Sequence, residues 1–146
     1  MTKILIKKLS EEAIIPKYET VGSSGMDICA NIKKEIKIQS GDKALIPSGF
    51  SLSIPKGFEV QIRPRSGLAA KKGISVLNSP GTIDADYRGE IKVILINLGK
   101  KDFIIEKGSR IAQMVLCPVI KANLKEEENL DSTKRGSSGF GSTGSK

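Results

Sequence analysis

Hydrophobic and polar residues alternate in short runs along most of the chain, a pattern typical of half-buried β-strands. β-Branched residues are frequent in these runs, and Gly, Pro, Ser and Asp residues separate them. The predicted strands cover residues 4–6, 35–38, 50–54, 58–62, 91–96, 103–105 and 111–115. Many short strands at this spacing predict an all-β fold, a sandwich or barrel of jelly-roll type.

Turn-forming residues separate the predicted strands and leave room for one helix. They occur at 40–42, 47–49, 55–57, 79–81, 88–89 and 107–108. Residues 66–72 have a helical pattern about two turns long. Ser66 is predicted to open this helix and Gly73 to close it.

The composition changes after about residue 121, which divides the chain into a β body at 1–123 and a tail at 124–146. Residues 131–146 hold four Gly and five Ser, a composition that cannot pack a core and predicts a flexible segment. A disordered tail is one interpretation. The cation of Arg135 and the ring of Phe140, set among glycines, favour the other, a clamp that orders over a ligand.

The chain length of 146 residues suits one domain, which can bury a core without a disulfide or a metal. Cys29 and Cys117 lie in apolar runs, so we expect two small core side chains and no bridge. The N-terminal residues have the pattern of neither a signal peptide nor an anchor, and no apolar run approaches the roughly 20 residues that span a bilayer. We therefore expect a soluble, cytoplasmic protein without a membrane partner.

The net charge of +8 suits either nucleic acid or a small polyanion such as a nucleoside triphosphate. The lysines are dispersed and Trp is absent, so stacking platforms for single strands are largely missing and stable nucleic-acid binding is not expected. The chain has no histidine, which excludes Ser-His and Cys-His nucleophiles and His-bearing zinc sites. Acid–base chemistry would fall to carboxylates, Tyr, Lys or water, together with a hard cation.

Two segments have the residues of functional-site loops. The first, at 23–27, is rich in small residues and ends in Asp27; a simple turn before a strand is the alternative. In the second, Arg65, Ser66 and Gly67 surround the predicted helix start, where free N–H groups bind anions. Phosphate binding is favoured there, and pairing of Arg65 with a carboxylate across a subunit contact is the alternative.

Residues 78–90 form the segment with the most candidate chemistry. A strand into Asp84, a polar tip and a return strand predict a β-hairpin, whose exposed main chain can mimic a base-pairing partner. Asp84 follows β-branched residues, so we expect partial shielding, and its ionised carboxylate can orient an attacking water or accept its proton. Ordinary turn residues are the alternative for Asp84 and Asp86. Farther along, Gln113 is either an internal hydrogen-bond holder or a ligand to water and phosphate.

Five segments, in order, resemble the five motifs of the trimeric dUTPase family. They are 24–27 (SGMD), 64–69 (PRSGLA), 81–89 (GTIDADYRG), 110–114 (RIAQM) and 135–144 (RGSSGFGSTG). The third and fifth are the most specific, and the resemblance spans nearly the whole chain. It implies the jelly-roll-like (β-clip) dUTPase fold and Mg²⁺-dependent hydrolysis of dUTP to dUMP and pyrophosphate. That reaction limits uracil in DNA and supplies dUMP for thymidylate synthesis.

The resemblance also implies residue roles at the nucleoside. Asp84 would be the catalytic residue, activating the water that attacks the α-phosphorus and contacting the 3′-hydroxyl. Tyr87 would pack beneath the sugar and exclude a 2′-hydroxyl. The uracil-binding residues, several of them through the main chain, would be Asn78, Thr82, Ile83 and Lys92.

Further roles implied by the resemblance concern the phosphates, the metal and the assembly. Mg²⁺ would be chelated by the triphosphate, with Asp27 and Gln113 reached only through its waters, in keeping with the reluctance of Mg²⁺ to lose water. The implied assembly is a homotrimer with shared active sites, in which one subunit lends the hairpin and another lends the tail. The phosphate-binding residues would be Arg65, Ser66, Gly67 and Gln113, joined from the tail by Arg135, Gly141, Ser142 and Thr143. Phe140 of the tail would stack on the uracil.

Two other functions compete with dUTP hydrolysis. A dCTP deaminase shares the fold, but the context of Asp84 and the glycine-rich tail resemble dUTPases. A non-catalytic nucleic-acid or signalling module is motivated by the net charge and predicts salt-sensitive DNA binding without nucleotide turnover.

Overall fold

The computed structural model describes residues 2–140, which form ten β-strands and one short helix. The strands are β1 (Leu5–Lys8), β2 (Met26–Cys29), β3 (Ile36–Ile38), β4 (Lys43–Ser53), β5 (Phe58–Arg63), β6 (Ile74–Val76), β7 (Gly81–Ile83), β8 (Glu90–Asn97), β9 (Phe103–Ile105) and β10 (Arg110–Pro118), and helix α1 (Ser66–Lys72) lies between β5 and β6. The predicted all-β fold with one short helix is confirmed.

The strands form two four-stranded antiparallel sheets and one two-stranded ribbon. The first sheet has the order β1-β4-β8-β6 and the second has the order β2-β10-β5-β7, while β3 pairs with β9. Buried side chains from both large sheets form one hydrophobic cluster, as in a β-sandwich. Many neighbours in the sheets are far apart in sequence, so the fold depends on long-range pairing.

The alternation of residues in β8 shows why the chain folds in this way. Ile91, Val93 and Leu95 are fully buried, and the residues between them point away from the core. Burial of each of these aliphatic side chains contributes about 1.5–3 kcal/mol. The same alternation places Glu90 and Lys92 together on the outer face of the strand.

The turn predicted at 47–49 is wrong, because these residues lie inside β4. In its ladder with β8, β4 takes four residue steps from Pro47 to Ser51 where β8 takes two. The extra residues form a bulge, and Gly49 within it has a φ of +76°, a conformation that favours glycine. Pro, Ser and Gly are common in turns and at bulges alike, so the sequence did not separate the two.

The hairpin predicted over residues 78–90 is also wrong, because its two strands belong to different sheets. β7 pairs with β5, whereas β8 pairs with β4 and β6. Residues 84–89 therefore carry the chain from one sheet to the other. The turn residues mark the change of direction correctly, but local sequence does not specify which sheet receives the returning strand.

Helix α1 covers residues 66–72 as predicted, but Ser66 is its first helical residue and not its cap. The N-cap position is held by Arg65, whose side chain makes no capping hydrogen bond. Gly73 ends the helix with a φ of +70°, as predicted. A Cβ atom on Gly73 would lie 2.6 Å from the nitrogen of Gly99, so glycine also permits close packing of α1 against the turn after β8.

Beyond β10, residues 119–140 contain neither helix nor strand. Four large apolar side chains of this stretch are exposed: Ile120, Leu124, Leu130 and Phe140. In the part of the chain that the structure describes, no helix is long and apolar enough to cross a membrane.

Cys29 and Cys117 are free thiols. They were predicted to lie in the core, but both are only half-buried.

Asn97, at the end of β8, is a fully buried polar residue. Its Nδ2 donates to the carbonyls of Ile38 and Lys101, both at 2.9 Å. Its Oδ1 accepts from the backbone N–H of Gly99, also at 2.9 Å. Asn97 thus ties the turn that follows β8, and with it the end of α1, to β3.

Replacement of Asn97 with Ala is expected to lower the free energy of unfolding by about 2–4 kcal/mol, because buried backbone groups lose their side-chain partner. Urea-induced unfolding followed by circular dichroism measures the change. Asn123→Ala, at an exposed position, is the matched control and should stay within about 0.5 kcal/mol of the parent. Equal stability of the two variants would contradict the role of Asn97.

Candidate active site

A cavity of about 300 Å³ opens where β7 leaves its sheet and β8 begins. It is lined by Leu45, Thr82, Ile83, Asp84, Tyr87, Glu90 and Lys92. Five of these residues were predicted to bind the nucleoside, so the structure brings most of that predicted group together. Leu45 and Glu90 were missed by the sequence analysis.

The sequence contains a signal for one of these two residues, Glu90, and none for the other, Leu45. Glu90 is two residues from Lys92 in the same strand, and the period of two places both side chains on one face. That signal was present in the sequence. Leu45 reaches the cavity through the ladder in which it pairs with Ile94, a long-range pairing that local sequence does not reveal.

The ring of Tyr87 is held closely against the backbone that follows it. A Cβ atom on Gly89 would lie 2.3 Å from the hydroxyl oxygen of Tyr87, so glycine is required for this ring position. The Tyr87 hydroxyl donates to the carbonyl of Glu90 at 3.2 Å. On the other side of the loop, the guanidinium of Arg88 donates to the carbonyl of Ala85 at 2.7 Å. The loop between the sheets is thus braced by its own side chains.

Asp84 and Asn78 are both exposed. The predicted partial shielding of Asp84 is therefore wrong for the single chain, because Asp84 lies directly after β7, in the exposed loop that leads to β8. Asn78 does not line the cavity, but it lies next to β7, since a Cβ atom on Gly81 would be 3.3 Å from its Nδ2.

A second cluster forms where β2, β10 and the start of α1 meet. The Asp27 carboxylate accepts from Nε of Arg65 at 3.0 Å with one oxygen and from Nη1 of Arg110 at 3.0 Å with the other. Arg110 also lies 3.5 Å from the carboxylate of Glu19. Within the described chain, Arg65 thus pairs with the carboxylate of Asp27.

Gln113 is held in the same cluster by the strand ladder. It pairs with Asp27 of β2 on one side and with Arg63 of β5 on the other. Its Nε2 donates to the carbonyl of Pro64 at 2.9 Å. Gly25 makes room for the side chain, since a Cβ atom there would lie 2.4 Å from Oε1 of Gln113. The amide nitrogen of Gln113 is therefore satisfied by a hydrogen bond within the chain.

Ser66 and Gly67 lie at the exposed start of α1, directly after Arg65. A Cβ atom on Gly67 would have no neighbour within 4 Å, so the space above this turn is open. Neither these residues nor Asp27 and Gln113 line the cavity beside β7. Within the described chain, the predicted site is therefore divided into the cavity beside β7 and a separate arginine–carboxylate cluster.

The tail residues form local contacts of their own. Nε of Arg135 donates to the carbonyl of Ser138 at 3.0 Å, and Phe140 is fully exposed. Neither residue lines the cavity. Gly141, Ser142 and Thr143, which were predicted to wrap the terminal phosphate, lie outside the described residues.

Cys29 is the titratable group near the arginine–carboxylate cluster whose ionisation is clearly perturbed. Burial raises the pKa of its thiol, against the opposing effect of Arg110. Cys29 pairs with Arg110 in the β2–β10 ladder. Because the thiolate is the reactive form, the raised pKa makes Cys29 a poor nucleophile at neutral pH.

The two packed antiparallel sheets define an all-β protein of the jelly-roll class. The sequence model of the dUTPase family matches residues 11–144, and the chain belongs to this family. It is 59% identical over 145 residues to the deoxyuridine 5′-triphosphate nucleotidohydrolase of Rickettsia bellii (strain OSU 85-389), covering 99% of this chain and 97% of the relative. It is 56% identical over 144 residues to the enzyme of the same name from Hydrogenobaculum sp. (strain Y04AAS1), covering 99% of each.

Solved structures show the same relationship. The dUTPase of Staphylococcus bacteriophage 80alpha, solved with dUpNHpp, is 29% identical to this chain and covers 99% of both chains with a TM-score of 0.84. The predicted dUTPase fold is confirmed.

Gly25→Ala is expected to displace the amide of Gln113, because the new Cβ atom would lie 2.4 Å from its Oε1. The hydrogen bond to Pro64 should break, and the free energy of unfolding should fall by about 1–3 kcal/mol. Chemical denaturation gives the free energy, and the side-chain amide resonances of Gln113 report the lost bond. Gly22→Ala, where an added Cβ atom has no neighbour within 4 Å, is the control. Parent-like amide resonances in Gly25→Ala would refute the steric argument.

Proposed function

We propose that this protein is a dUTP diphosphatase, which hydrolyses dUTP to dUMP and pyrophosphate. The observation that carries the proposal is the cavity beside β7, where Thr82, Ile83, Asp84, Tyr87 and Lys92 lie together. Membership of the dUTPase family supports the reaction, as do relatives named deoxyuridine 5′-triphosphate nucleotidohydrolase. The solved phage dUTPase with dUpNHpp supports a deoxyuridine nucleotide as the substrate.

Asp84 is the catalytic residue in this proposal. It lines the cavity and is exposed, so a water molecule can reach it. Its ionised carboxylate orients that water and accepts its proton while the water oxygen attacks the α-phosphorus. The bond from the α-phosphorus to the bridging oxygen breaks, and pyrophosphate leaves. The same carboxylate contacts the 3′-hydroxyl of the sugar.

Tyr87 excludes ribonucleotides by occupying the space beneath the sugar. The close approach of its ring to Gly89 and its hydrogen bond to the Glu90 carbonyl support this role, since a fixed ring cannot move away from a 2′-hydroxyl. Steric exclusion by a rigid wall discriminates more strongly than the loss of one favourable contact. The uracil edge is bound by Asn78 and by the main chain of Thr82, Ile83 and Lys92.

The phosphates bind at the arginine–carboxylate cluster, through Arg65, Ser66, Gly67 and Gln113. Arg65 meets Asp27 through Nε, and its Nη1 is 3.4 Å from the carbonyl of Arg110. Its Nη2 edge, which neither contact uses, is available for phosphate oxygens. The exposed turn at Ser66 and Gly67 supplies backbone N–H donors beside this guanidinium.

Mg²⁺ suits this site as an ion carried by the substrate. Among residues 2–140, no group of three or more His, Cys, Asp or Glu side chains is arranged to hold a metal. Both Asp27 oxygens already accept from arginines at 3.0 Å, so Asp27 and Gln113 would contact the ion only through its waters. When bound, Mg²⁺ neutralises charge on the triphosphate.

A homotrimer with shared active sites explains why the nucleoside cavity and the arginine–carboxylate cluster are separate in one chain. One subunit contributes the cavity, another the phosphate-binding residues, and a tail closes over both. The tail residues that contact the nucleotide are Arg135, Phe140, Gly141, Ser142 and Thr143. The high exposure of the large apolar side chains Ile120, Leu124, Leu130 and Phe140 supports this arrangement.

The same proposal sets the boundaries and the cellular role. Residues 1–123 form the catalytic body and 124–146 form the tail, since β10 ends at Pro118. The protein acts in the cytoplasm, where it limits uracil in DNA and supplies dUMP. The dCTP deaminase alternative and the non-catalytic module are disfavoured by the family membership.

Incubation of the protein with each deoxynucleoside triphosphate and Mg²⁺ is expected to release pyrophosphate from dUTP alone. A coupled pyrophosphate assay and an ammonia assay, run in parallel, measure the products. Heat-denatured protein is the control. Ammonia released from dCTP would favour the deaminase, and absence of turnover with salt-sensitive DNA binding would favour the non-catalytic module.

Two inactive variants are expected to restore activity to each other if the site is shared. Asp84→Asn should lower kcat by about 10²–10⁴-fold, because the attacking water loses its base. A chain ending at residue 134 should also be severely impaired. Co-expressed trimers containing both chains would combine an intact Asp84 from one subunit with an intact tail from another, and turnover would return.

Steady-state kinetics on the purified mixed trimers measures the recovery. Trimers formed only by Asp84→Asn chains, co-expressed with two different affinity tags, are the matched control and should stay inactive. Mixed trimers of the two variants with no more activity than either variant alone would place the whole site within one subunit.

A further inference from the structure

We propose that Glu90, fastened to the bulge of β4, positions Tyr87 and so determines how strictly the site rejects a ribonucleotide. This inference rests on the proposed function and deepens it, because it assigns sugar specificity to a residue outside the five motifs. We call Ser48, Gly49 and Glu90 together the bulge clamp.

The bulge clamp begins with a backbone group that the strand ladder leaves free. Because β4 takes four steps between Pro47 and Ser51 where β8 takes two, Gly49 has no residue opposite it in β8. Its N–H donates instead to Oε1 of Glu90 at 3.0 Å. A side-chain carboxylate thus replaces a missing main-chain partner, and a hydrogen bond to a charged acceptor is stronger than a neutral one.

The bulge itself is a rigid anchor. Gly49 has a φ of +76°, and a Cβ atom on it would lie 2.3 Å from Nδ2 of Asn31 and 2.8 Å from Cβ of Ala13. Its carbonyl accepts from the N–H of Leu9 at 2.8 Å. The bulge is therefore packed closely against Asn31 and Ala13, and Glu90 is bonded to a fixed point.

Ser48 provides a second attachment to the start of β8. It is fully buried, and its Oγ donates to the carbonyl of Ile91 at 2.6 Å. The same oxygen lies 3.4 Å from the N–H of Phe50, which donates to it. The bulge clamp thus holds β8 at two successive residues, by the side chain of Glu90 and by the main chain of Ile91.

From this attachment Glu90 reaches the cavity in two directions. Its Oε2 lies 3.7 Å from Nζ of Lys92, and its side chain is only 25% exposed. Its carbonyl accepts the hydroxyl of Tyr87 at 3.2 Å. The ring of Tyr87 is therefore bonded to the residue that the bulge holds, and loss of the bulge clamp would let the ring shift away from the sugar.

The test compares Glu90→Gln, Glu90→Ala and Ser48→Ala with the parent, using the full chain and measuring kcat and KM separately for dUTP and UTP. The amide oxygen of Gln can still accept from Gly49, whereas Ala cannot. Glu12→Gln is the matched control, since it breaks the ion pair with Lys107 at 2.6 Å, and neither residue lines the cavity. The ratio of kcat/KM for dUTP to that for UTP is the decisive quantity, because a smaller folded fraction lowers both values equally and leaves the ratio unchanged.

Glu90→Ala is expected to lower the dUTP-to-UTP ratio by about tenfold, the scale of one hydrogen bond to a charged group in a part-buried site. Ser48→Ala should lower it in the same direction. Glu90→Gln should stay within about threefold of the parent, since its amide oxygen keeps a hydrogen bond to Gly49 and the 3.7 Å ion pair with the half-exposed Lys92 contributes little. The control should match the parent. If Glu90→Ala does not fold, Glu90→Asp is used in its place, because the shorter side chain cannot extend from β8 to the N–H of Gly49.

An unchanged ratio in Glu90→Ala and Ser48→Ala would overturn the inference, even if both rates fell. Equal loss of the ratio in Glu90→Gln and Glu90→Ala would also overturn it, since the charge and not the bond to the bulge would then be responsible. Failure of the folded parent to hydrolyse dUTP would count against the proposed function instead, and the two failures are therefore distinguishable.

Discussion

The register between β4 and β8 is the constraint on which the rest of the structure depends. Its alternation buries Ile91 and Val93 while Glu90 and Lys92 face the cavity. A slip of one residue would exchange the two faces. It would expose aliphatic side chains worth about 1.5–3 kcal/mol each and bury two charges, at a cost of several kcal/mol per ion. One strand thus supplies both core side chains and part of the cavity wall, so the register that buries the core also places Glu90 and Lys92 at the cavity.

A bulge inside such a ladder would ordinarily weaken it, because backbone groups lose their partners. Here side chains satisfy the groups that the ladder leaves free, with Ser48 bonded to Ile91 and Glu90 bonded to Gly49. The arginine–carboxylate cluster follows a similar logic, since Asp27 is bonded to Arg65 and to Arg110 before any ligand arrives. Polar groups at both places are therefore oriented in advance, which lowers the cost of organising them around a ligand.

The sequence predicted the features that depend on local chemistry. The alternating runs located most strands, and Gly73 marked the end of α1 because a left-handed terminal residue favours glycine. Prediction from the sequence failed for the features that depend on pairing between strands far apart along the chain. The hairpin predicted at 78–90 was wrong because β7 pairs with β5 and not with β8. The turn predicted at 47–49 was wrong because a bulge and a turn favour the same residues. At the candidate site, a short loop brings Thr82, Asp84 and Tyr87 together, as their closeness in sequence predicts, whereas Leu45 comes from another strand.

The fixed ring of Tyr87 has a spectroscopic consequence. The chain has no Trp and two Tyr, so the tyrosine emission that Trp usually obscures is directly observable. One of the two emitters lines the cavity, with its hydroxyl bonded to a backbone carbonyl, and the other, Tyr18, is an exposed residue outside it. The intrinsic ultraviolet fluorescence of the unlabelled protein therefore reports on changes at the cavity beside β7, and in Tyr18→Phe all of that emission would come from Tyr87.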